Sequence, residues 1–513
     1  MESNTTANNK RIAKNTAFLY LRMLFTTILS LYTARLVLKL LGVEDFGIYN
    51  VVGGVVSFMG FLTATMSSAT QRYLTYHLGI GDSIRFKQTF SLLINIYLIF
   101  CIFALLVLEV VGPIYISYYM TIPQERVVAA QWVFHFSLIT FIINTLSVPF
   151  RSSIIAYEKM GAYAYFGIIE AILYLSVVLF LQNIKVDQLV AYGLLILIVN
   201  TLIIAIMVLY CYKKMEDCRY ISYWNSRYVK ELIAYSGWNL FGSTTGVMNL
   251  QGQAIVLNYF FGPIINAAKA IADKVNGLIN QFSQNFYMAV APQIIKSYAI
   301  KDIDYMRTLV LNSSRYSFFM LFVISVPLFI IMEPLLTFWL GKEQVSYEMV
   351  KFCQYTIVYS LVNILEQPIT MAVRATGNIK KYQVMVGLLT LSFIPLCVFI
   401  FIMGAPAYMS MILLSIVYFV ALLIRIHIVS PIIQISEMHY FTSVLLPVFL
   451  ILIESLSFFI VVSHIQRFED CDWVIKGIIS LIVALTVTFI SGLNKSERKL
   501  LWDYLTKKLN IKL

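Results

Sequence analysis

Long apolar runs follow one another along nearly the whole chain, separated by short polar connections. A helix needs about 20 predominantly apolar residues to cross a bilayer. Runs that meet this requirement lie near 15–41, 46–70, 86–112, 128–150, 160–182, 187–211 and 232–260. Others follow near 264–292, 309–333, 348–373, 382–404, 407–430, 441–464 and 473–493. The pattern predicts an all-α polytopic membrane protein with about fourteen transmembrane helices. The seventh and eighth runs are the least apolar and would escape a strict hydropathy window.

Basic residues decide whether those two runs span. Alternate connections carry Arg72, Arg85, Lys87, Arg151, Lys159, Lys213, Lys214, Arg219, Arg227, Lys230, Lys296, Lys301, Arg307, Arg374, Lys380 and Lys381. The other connections hold little beyond Arg126, Lys185, Lys342 and Arg467. Cytoplasmic loops hold the excess of Lys and Arg, and this asymmetry survives only if both weak runs cross. The count is then even, and both termini are expected in the cytoplasm. The residues up to Lys14 are polar and basic, and no small-residue cleavage site closes the run that follows. The first span therefore reads as retained, not as a removed signal peptide.

Composition excludes several classes. Of the 513 residues 12% are charged, and mean hydropathy is +0.80, whereas soluble proteins carry about a quarter charged residues. Lipid must replace water around most of these helices. The net charge of +12 does not signal nucleic acid, because the basic residues sit in short loops and form no continuous patch. Cys101, Cys211, Cys218, Cys353, Cys397 and Cys471 are scattered without CxxC or His/Cys ligand spacing, so neither a disulfide framework nor a metal site is indicated. No connection exceeds about 20 residues, which leaves no soluble domain. Membrane-bound glycan polymerases and ligases usually carry a sizeable outer loop, and no GxxxxGK(S/T) phosphate loop occurs either. An enzyme is not expected.

The chain repeats itself weakly at an offset of roughly 220 residues. Leu41-Gly42-Val43 matches Phe261-Gly262-Pro263, and Gly112-Pro113-Ile114 lies over Glu333-Pro334-Leu335. Pro149 and Tyr163 lie over Pro368 and Tyr382. Six spans per copy give both copies one orientation, the parallel-repeat plan of several secondary transporters. The expected layout is an N-terminal lobe at 1–211, a linker at 212–231, a C-terminal lobe at 232–430, and at 431–513 two further spans with a basic tail. Tyr220, Tyr223, Trp224 and Tyr228 among basic residues suggest that the linker lies in the cytoplasmic interface.

Polar residues concentrate in spans one, two, seven and eight, which the repeat makes equivalent pairs. In span two Asn50, Gly54, Ser57, Ala64, Ser68 and Gln71 recur at helical steps, and in span eight Lys269, Asp273, Asn276, Asn280 and Gln284 do the same. Span seven holds Asn239, Ser243, Thr244, Asn249, Gln251 and Gln253, with Gly242 and Gly246 forming a GxxxG that suits close helix approach. Two readings stay open. These faces are helix–helix seams, or they line a hydrated cavity through Asn50, Ser57, Asn239, Asn249, Gln253, Asn276 and Asn280. Amide ladders on two equivalent helices favour the cavity.

The charges are sharper. Lys269 and Asp273, four residues apart, can neutralise each other. Lys274 lies about 100° further round the helix with no partner on it. A charge at the bilayer centre costs roughly 2.5–3.5 kcal/mol, so a cavity role is expected for Lys274. Arg22 and Arg35 are within snorkelling reach of opposite surfaces and about 20 Å apart along span one. Glu170, Glu366 and Glu454 are candidates for ion or proton coupling. Glu366 precedes Pro368, where a broken helix could expose carbonyls; each acid could instead bond a neighbouring Ser, Thr or Tyr. His135 is expected to be packed.

The segment Leu41-Gly42-Val43-Glu44-Asp45-Phe46-Gly47-Ile48-Tyr49 resembles the LGxxxFGxY signature of bacterial polysaccharide-export proteins. These are the Wzx-type O-antigen and capsule flippases of the multidrug/oligosaccharidyl-lipid/polysaccharide (MOP) exporter superfamily. The resemblance implies a MATE/MurJ-like fold of two six-helix lobes plus two C-terminal helices, the last pair forming a groove for a lipid tail. It implies a flippase in the bacterial cytoplasmic membrane, carrying an undecaprenyl-pyrophosphate-linked oligosaccharide by alternating access. The family's cationic cavity residues correspond by position to Arg22, Arg35, Lys269 and Lys274. Coupling to H+ or Na+ would fall to Asp273, Glu366 or Glu170, with no organic cofactor. The implied partners are the lipid-linked oligosaccharide, membrane lipid and polysaccharide polymerase or assembly proteins, with no nucleic acid. Drug exporters of the superfamily often place an acid in helix one, where this chain has Arg22 and Arg35 and no acid. An ion-coupled small-molecule exporter on the same fold stays the alternative.

Overall fold

The computed structural model of the chain describes residues 2–118, 122–463 and 472–499, without the side chains at 2–10, 43, 44, 50, 51, 54–59, 61, 115, 117, 118, 263, 267, 344, 462 and 463. The described residues are helical nearly throughout, with no strand among them. Among the described residues, eleven helices are long and apolar enough to cross a membrane. Large apolar side chains such as Leu21, Ile28, Leu31, Phe103 and Leu106 are more than half exposed on them. Soluble proteins rarely leave such a surface open, and lipid is the solvent that suits it.

The predicted seventh and eighth spans are absent from those eleven, as their polar content implied. They are long helices all the same, Ser226–Phe261 with 36 residues and Pro263–Ala299 with 37, each about 54 Å or more at 1.5 Å per residue. The 46–70 run, which carries side chains at 50, 51, 54–59 and 61 outside the described residues, is not among the eleven either. It is the second half of a helical run, Glu2–Gly79, broken at Gly42.

Gly42 shows what the LGxxxFGxY segment does locally. Its φ of 76° lies in the region that L side chains avoid, and the chain turns there from one long helix into the next. Asp45, three residues on, receives Arg126 through Nε at 2.8 Å and through Nη2. Arg126 also reaches Asp187 at 2.5 Å, so one guanidinium ties three connections together. Phe46 and Tyr49 point into the helix bundle. Gly262, the repeat partner of Gly42, has a φ of 77° and separates Ser226–Phe261 from Pro263–Ala299. The two copies thus share a special backbone conformation at matched positions.

Two compact units divide the chain. The first takes 1–243, 288–302 and 374–380; the second takes 244–287, 303–373 and 381–513. This differs from the expected layout in a definite way. The expected linker at 212–231 packs into the first unit, where the Tyr228 hydroxyl meets His77 Nε2 and Thr89 Oγ1, each at 3.0 Å. Residues 288–302 join that unit because Gln293 and Lys296 bond to Glu158 at 2.5 and 2.6 Å. Residues 374–380 join it because Arg72 Nη2 donates to the Ala375 carbonyl at 3.1 Å. The C-terminal helices, expected to stand apart, belong to the second unit. Buried Arg315 pairs with Glu497, and the Trp473–Val487 helix packs along Ile303–Ile330.

Candidate functional site

Span one builds one wall of a cavity inside the first unit. Arg22, Thr26, Ser30, Thr33 and Val37 recur at three- and four-residue steps and so share a helix face. With Phe46, Tyr49, Glu170, Tyr174, Tyr192 and Ile196 they line a space of about 590 Å³. The Thr26 hydroxyl donates to the Arg22 carbonyl at 2.8 Å and Ser30 to the Thr27 carbonyl at 2.9 Å. Those hydroxyls are satisfied within the helix, which leaves Arg22 and Glu170 as the charged groups of the wall. The Arg22 guanidinium lies over the Tyr163 ring at 4.7 Å. Its stem runs over Gly167, where a Cβ would meet Arg22 Cδ at 2.9 Å. Glu170 Oε1 accepts from the Tyr174 hydroxyl at 3.2 Å.

The structure thus brings together two residues that the sequence reading placed in different roles, a cation for substrate and an acid for coupling. Arg35 is exposed and not among the lining residues. Gly167, Tyr174 and Tyr192 were not foreseen. No spacing connects them to Arg22, because they lie on helices more than a hundred residues away in sequence.

The second unit holds the other predicted cations. Lys269 is buried, and its Nζ lies 2.6 Å from Asp273 Oδ2 on the same helix, as the four-residue spacing implied. Lys274 is exposed and makes no ion pair among the described residues. On the next turns Asn276 Oδ1 accepts from Asn280 Nδ2 at 3.2 Å and from Ser360 Oγ at 3.0 Å.

Other polar residues expected on a cavity wall form seams between helices. Asn249 Nδ2 donates to the Thr390 carbonyl at 3.0 Å, and Gln253 Nε2 donates to Ser410 Oγ at 2.9 Å. Both side chains are buried, so these amides join helices and do not stand on an open wall. Asn239 is buried as well. The side chains of Asn50 and Ser57 lie outside the described residues. Gly246 of the GxxxG has open space where a Cβ would be, so no neighbour takes advantage of its small size.

Glu366 is also placed differently from expectation. It forms an ion pair with Arg425, whose Nε donates to the Tyr382 hydroxyl at 3.0 Å. Tyr382 in turn shares a 2.7 Å hydrogen bond with Thr370. The Tyr347–Thr376 helix runs through Pro368 unbroken, so no broken-helix carbonyl site forms there. Glu454 bonds to the Ser491 hydroxyl at 2.6 and 2.8 Å, the alternative foreseen for it. His135, expected to be packed, faces Glu109 at 3.2 Å.

These features define a class, an all-helical multi-pass membrane protein whose polar and charged groups are gathered inside its helical units. The fold within that class is that of the MATE transporters. The MatE family model matches residues 246–399. A multidrug resistance MATE family transporter of the MOP superfamily, solved in an outward-facing conformation, superposes with a TM-score of 0.69 at 13% identity. The match covers 83% of this chain and 96% of that one. MATE in its straight conformation gives 0.70 at 13% identity, over 83% of this chain and 97% of that chain. A MOP superfamily transporter from Pyrococcus furiosus, described as having a binding pocket of reversed polarity that suggests a different function, gives 0.68 at 14% identity. That match covers 83% and 96% of the two chains. No curated protein matches the sequence.

Proposed function

We propose that this chain is a transporter that flips an undecaprenyl-pyrophosphate-linked oligosaccharide across the bacterial cytoplasmic membrane by alternating access. The 46–70 run and the two weakly apolar helices, Ser226–Phe261 and Pro263–Ala299, would also span, for fourteen in all, with both termini cytoplasmic. The observation that carries the reading is the sign of the charges inside the helices. Arg22 lines the cavity from span one, which itself carries no acid, and Lys274 has no ion pair among the described residues. Pyrophosphate needs fixed positive charge that water does not screen. The reversed pocket polarity described for the Pyrococcus furiosus relative supports a departure from drug export on this fold. Glu170, hydrogen-bonded to Tyr174 beside Arg22, is the group we assign to H+ or Na+ coupling. Lys269, neutralised by Asp273, is a weaker substrate contact than Lys274.

Lys274→Ala should abolish surface glycan while leaving the abundance of the membrane protein unchanged. Full surface glycan in that variant would remove the site assignment. The second reading, export of small molecules, is favoured by the description of the first neighbour as a multidrug transporter. It predicts drug sensitivity on deletion with intact surface polysaccharide.

A further inference from the structure

The first unit contains another polar cavity, of about 510 Å³, that the transport reading does not use. Residues of 72–89 form one side, and residues of 223–231, the expected linker, form the other. Aromatic rings make up much of the wall. Tyr76 and Tyr223 are partly exposed there, with Tyr73 and Tyr228 stacked edge to face behind them at 5.8 Å.

The polar groups of this wall are held in place with capacity to spare. Arg72, 8% exposed, lies against the rings of Tyr73, Tyr76 and Tyr235 and gives Nη2 to the Ala375 carbonyl, while its Nε has no acceptor among the described residues. His77, 7% exposed, engages Tyr228 through Nε2 and leaves Nδ1 without a partner among the described residues. Burial pushes the His77 imidazole down to about 4, so it is neutral at ordinary pH. Glu231 uses Oε1 to accept from the Tyr73 hydroxyl at 2.9 Å, and no hydrogen bond among the described residues engages its other oxygen. No hydrogen bond among the described residues engages the Gln88 amide.

Two chemistries could occupy such a space, and the wall discriminates between them. An anion is disfavoured by the Glu231 carboxylate, by the commitment of the Arg72 guanidinium to three rings and a carbonyl, and by the pairing of the other lining arginine, Arg85, with Asp82 at 3.4 Å. A pyranose suits it. Its C–H face packs on a tyrosine ring, and its hydroxyls take paired hydrogen bonds from planar amide and carboxylate groups. The volume falls within the roughly 300–1,000 Å³ of small-ligand sites.

We propose that this cavity is a saccharide-binding site, holding a sugar ring against Tyr76 and Tyr223 with Gln88 and Glu231 on its hydroxyls. Its biological role, docking the glycan head group before translocation, rests on the transport reading above; the binding itself does not.

The test is saturation-transfer NMR on the purified full chain in detergent, with free galactose, N-acetylglucosamine and glucuronic acid as probes. Ring C–H signals of at least one probe should gain saturation from the wild type. Tyr76→Ala and Gln88→Ala should each weaken binding about tenfold, the loss of one good contact, and Tyr76→Phe should retain it. No transfer to any of the three sugars, or transfer in both variants equal to that of the wild type, overturns the proposal. Broadening of the phosphorus signal of inorganic phosphate that Arg85→Ala removes would make this an anion site and also overturn it. Should Tyr76→Ala fail to fold, Gln88→Ala decides. Sugar binding retained in Lys274→Ala together with lost surface glycan supports both readings. Sugar binding retained with normal surface glycan in Lys274→Ala supports the pocket and removes the transport site.

Discussion

Glu158 is the residue whose substitution has the most calculable effect. Its side chain is 0% exposed and receives Arg11 Nε at 2.8 Å, Gln293 Nε2 at 2.5 Å and Lys296 Nζ at 2.6 Å. It also closes the Val148–Ala156 helix, with a φ of 56° that costs a non-glycine residue about 1–2 kcal/mol. Removing one member of a buried ion pair costs about 3–5 kcal/mol. Arg11 is 47% exposed, so solvent screens part of its share and about 3 kcal/mol is the fair figure. Glu158→Ala should therefore destabilise the first unit by about 3 kcal/mol, and Glu158→Gly should regain about 1 of that through its backbone. Gln293→Ala removes one donor to a charged acceptor and should cost about 1.5–3 kcal/mol. The assay is thermal melting in detergent, followed by a thiol-reactive dye that labels buried Cys101, Cys211 and Cys218 as the unit opens. At roughly 2–4 °C per kcal/mol, Glu158→Ala should melt about 6–12 °C below wild type, with Glu158→Gly above it. Melting of Glu158→Ala within the error of wild type would refute the ion-pair argument. Melting of Glu158→Gly below Glu158→Ala would refute the backbone argument.

Three further outcomes are expected. Gly167→Ala places a Cβ 2.9 Å from Arg22 Cδ and should displace the guanidinium from Tyr163, reducing surface glycan as far as Arg22→Ala does; normal glycan would show that Arg22 need not hold that pose. Acid stability should depend on Asp187, in the connection before Gln188–Lys214. Burial pushes its carboxyl up, but the Val190 N–H and the Arg126 guanidinium outweigh that and hold it below the ordinary 3.8. A carboxyl lowered by folding contributes stability above its unfolded value and loses it as pH falls through its folded value. Melting temperature should therefore drop below about pH 4, and less steeply in Arg126→Gln; identical acid limbs would argue against the pair. Lys269→Ala should lower the melting temperature, since it leaves Asp273 without its partner, and unchanged melting would show that the pair is solvated.

Much of the fold was legible because burial in lipid writes itself as apolar length. The parity of Lys and Arg pointed to elements at 232–260 and 264–292 where hydropathy is weak, and the long helices Ser226–Phe261 and Pro263–Ala299 lie there; the repeat found Gly42 and Gly262, whose left-handed backbones no hydropathy scale sees. The sites were harder to read for a specific reason. A polar residue at helical spacing identifies a face, but not what stands opposite it. Asn249 and Gln253 looked like cavity wall, and they meet the Thr390 carbonyl and the Ser410 hydroxyl. Arg425 lies near the end of its predicted span, where a basic side chain can snorkel, so its position carries no signal, yet it is buried against Glu366. Arg22 and Glu170 were each noticed, but nothing in the chain order says that they share a cavity. The same reasoning separates the two lysines of Pro263–Ala299. Lys269 has its counter-charge one turn away and can be buried at little electrostatic cost, which is a structural arrangement complete in itself. Lys274 has no such partner on its helix, and an uncompensated charge in a spanning segment is costly unless water or an anion meets it. A transport defect without a stability defect is therefore the expected mark of Lys274, and the reverse is the expected mark of Lys269.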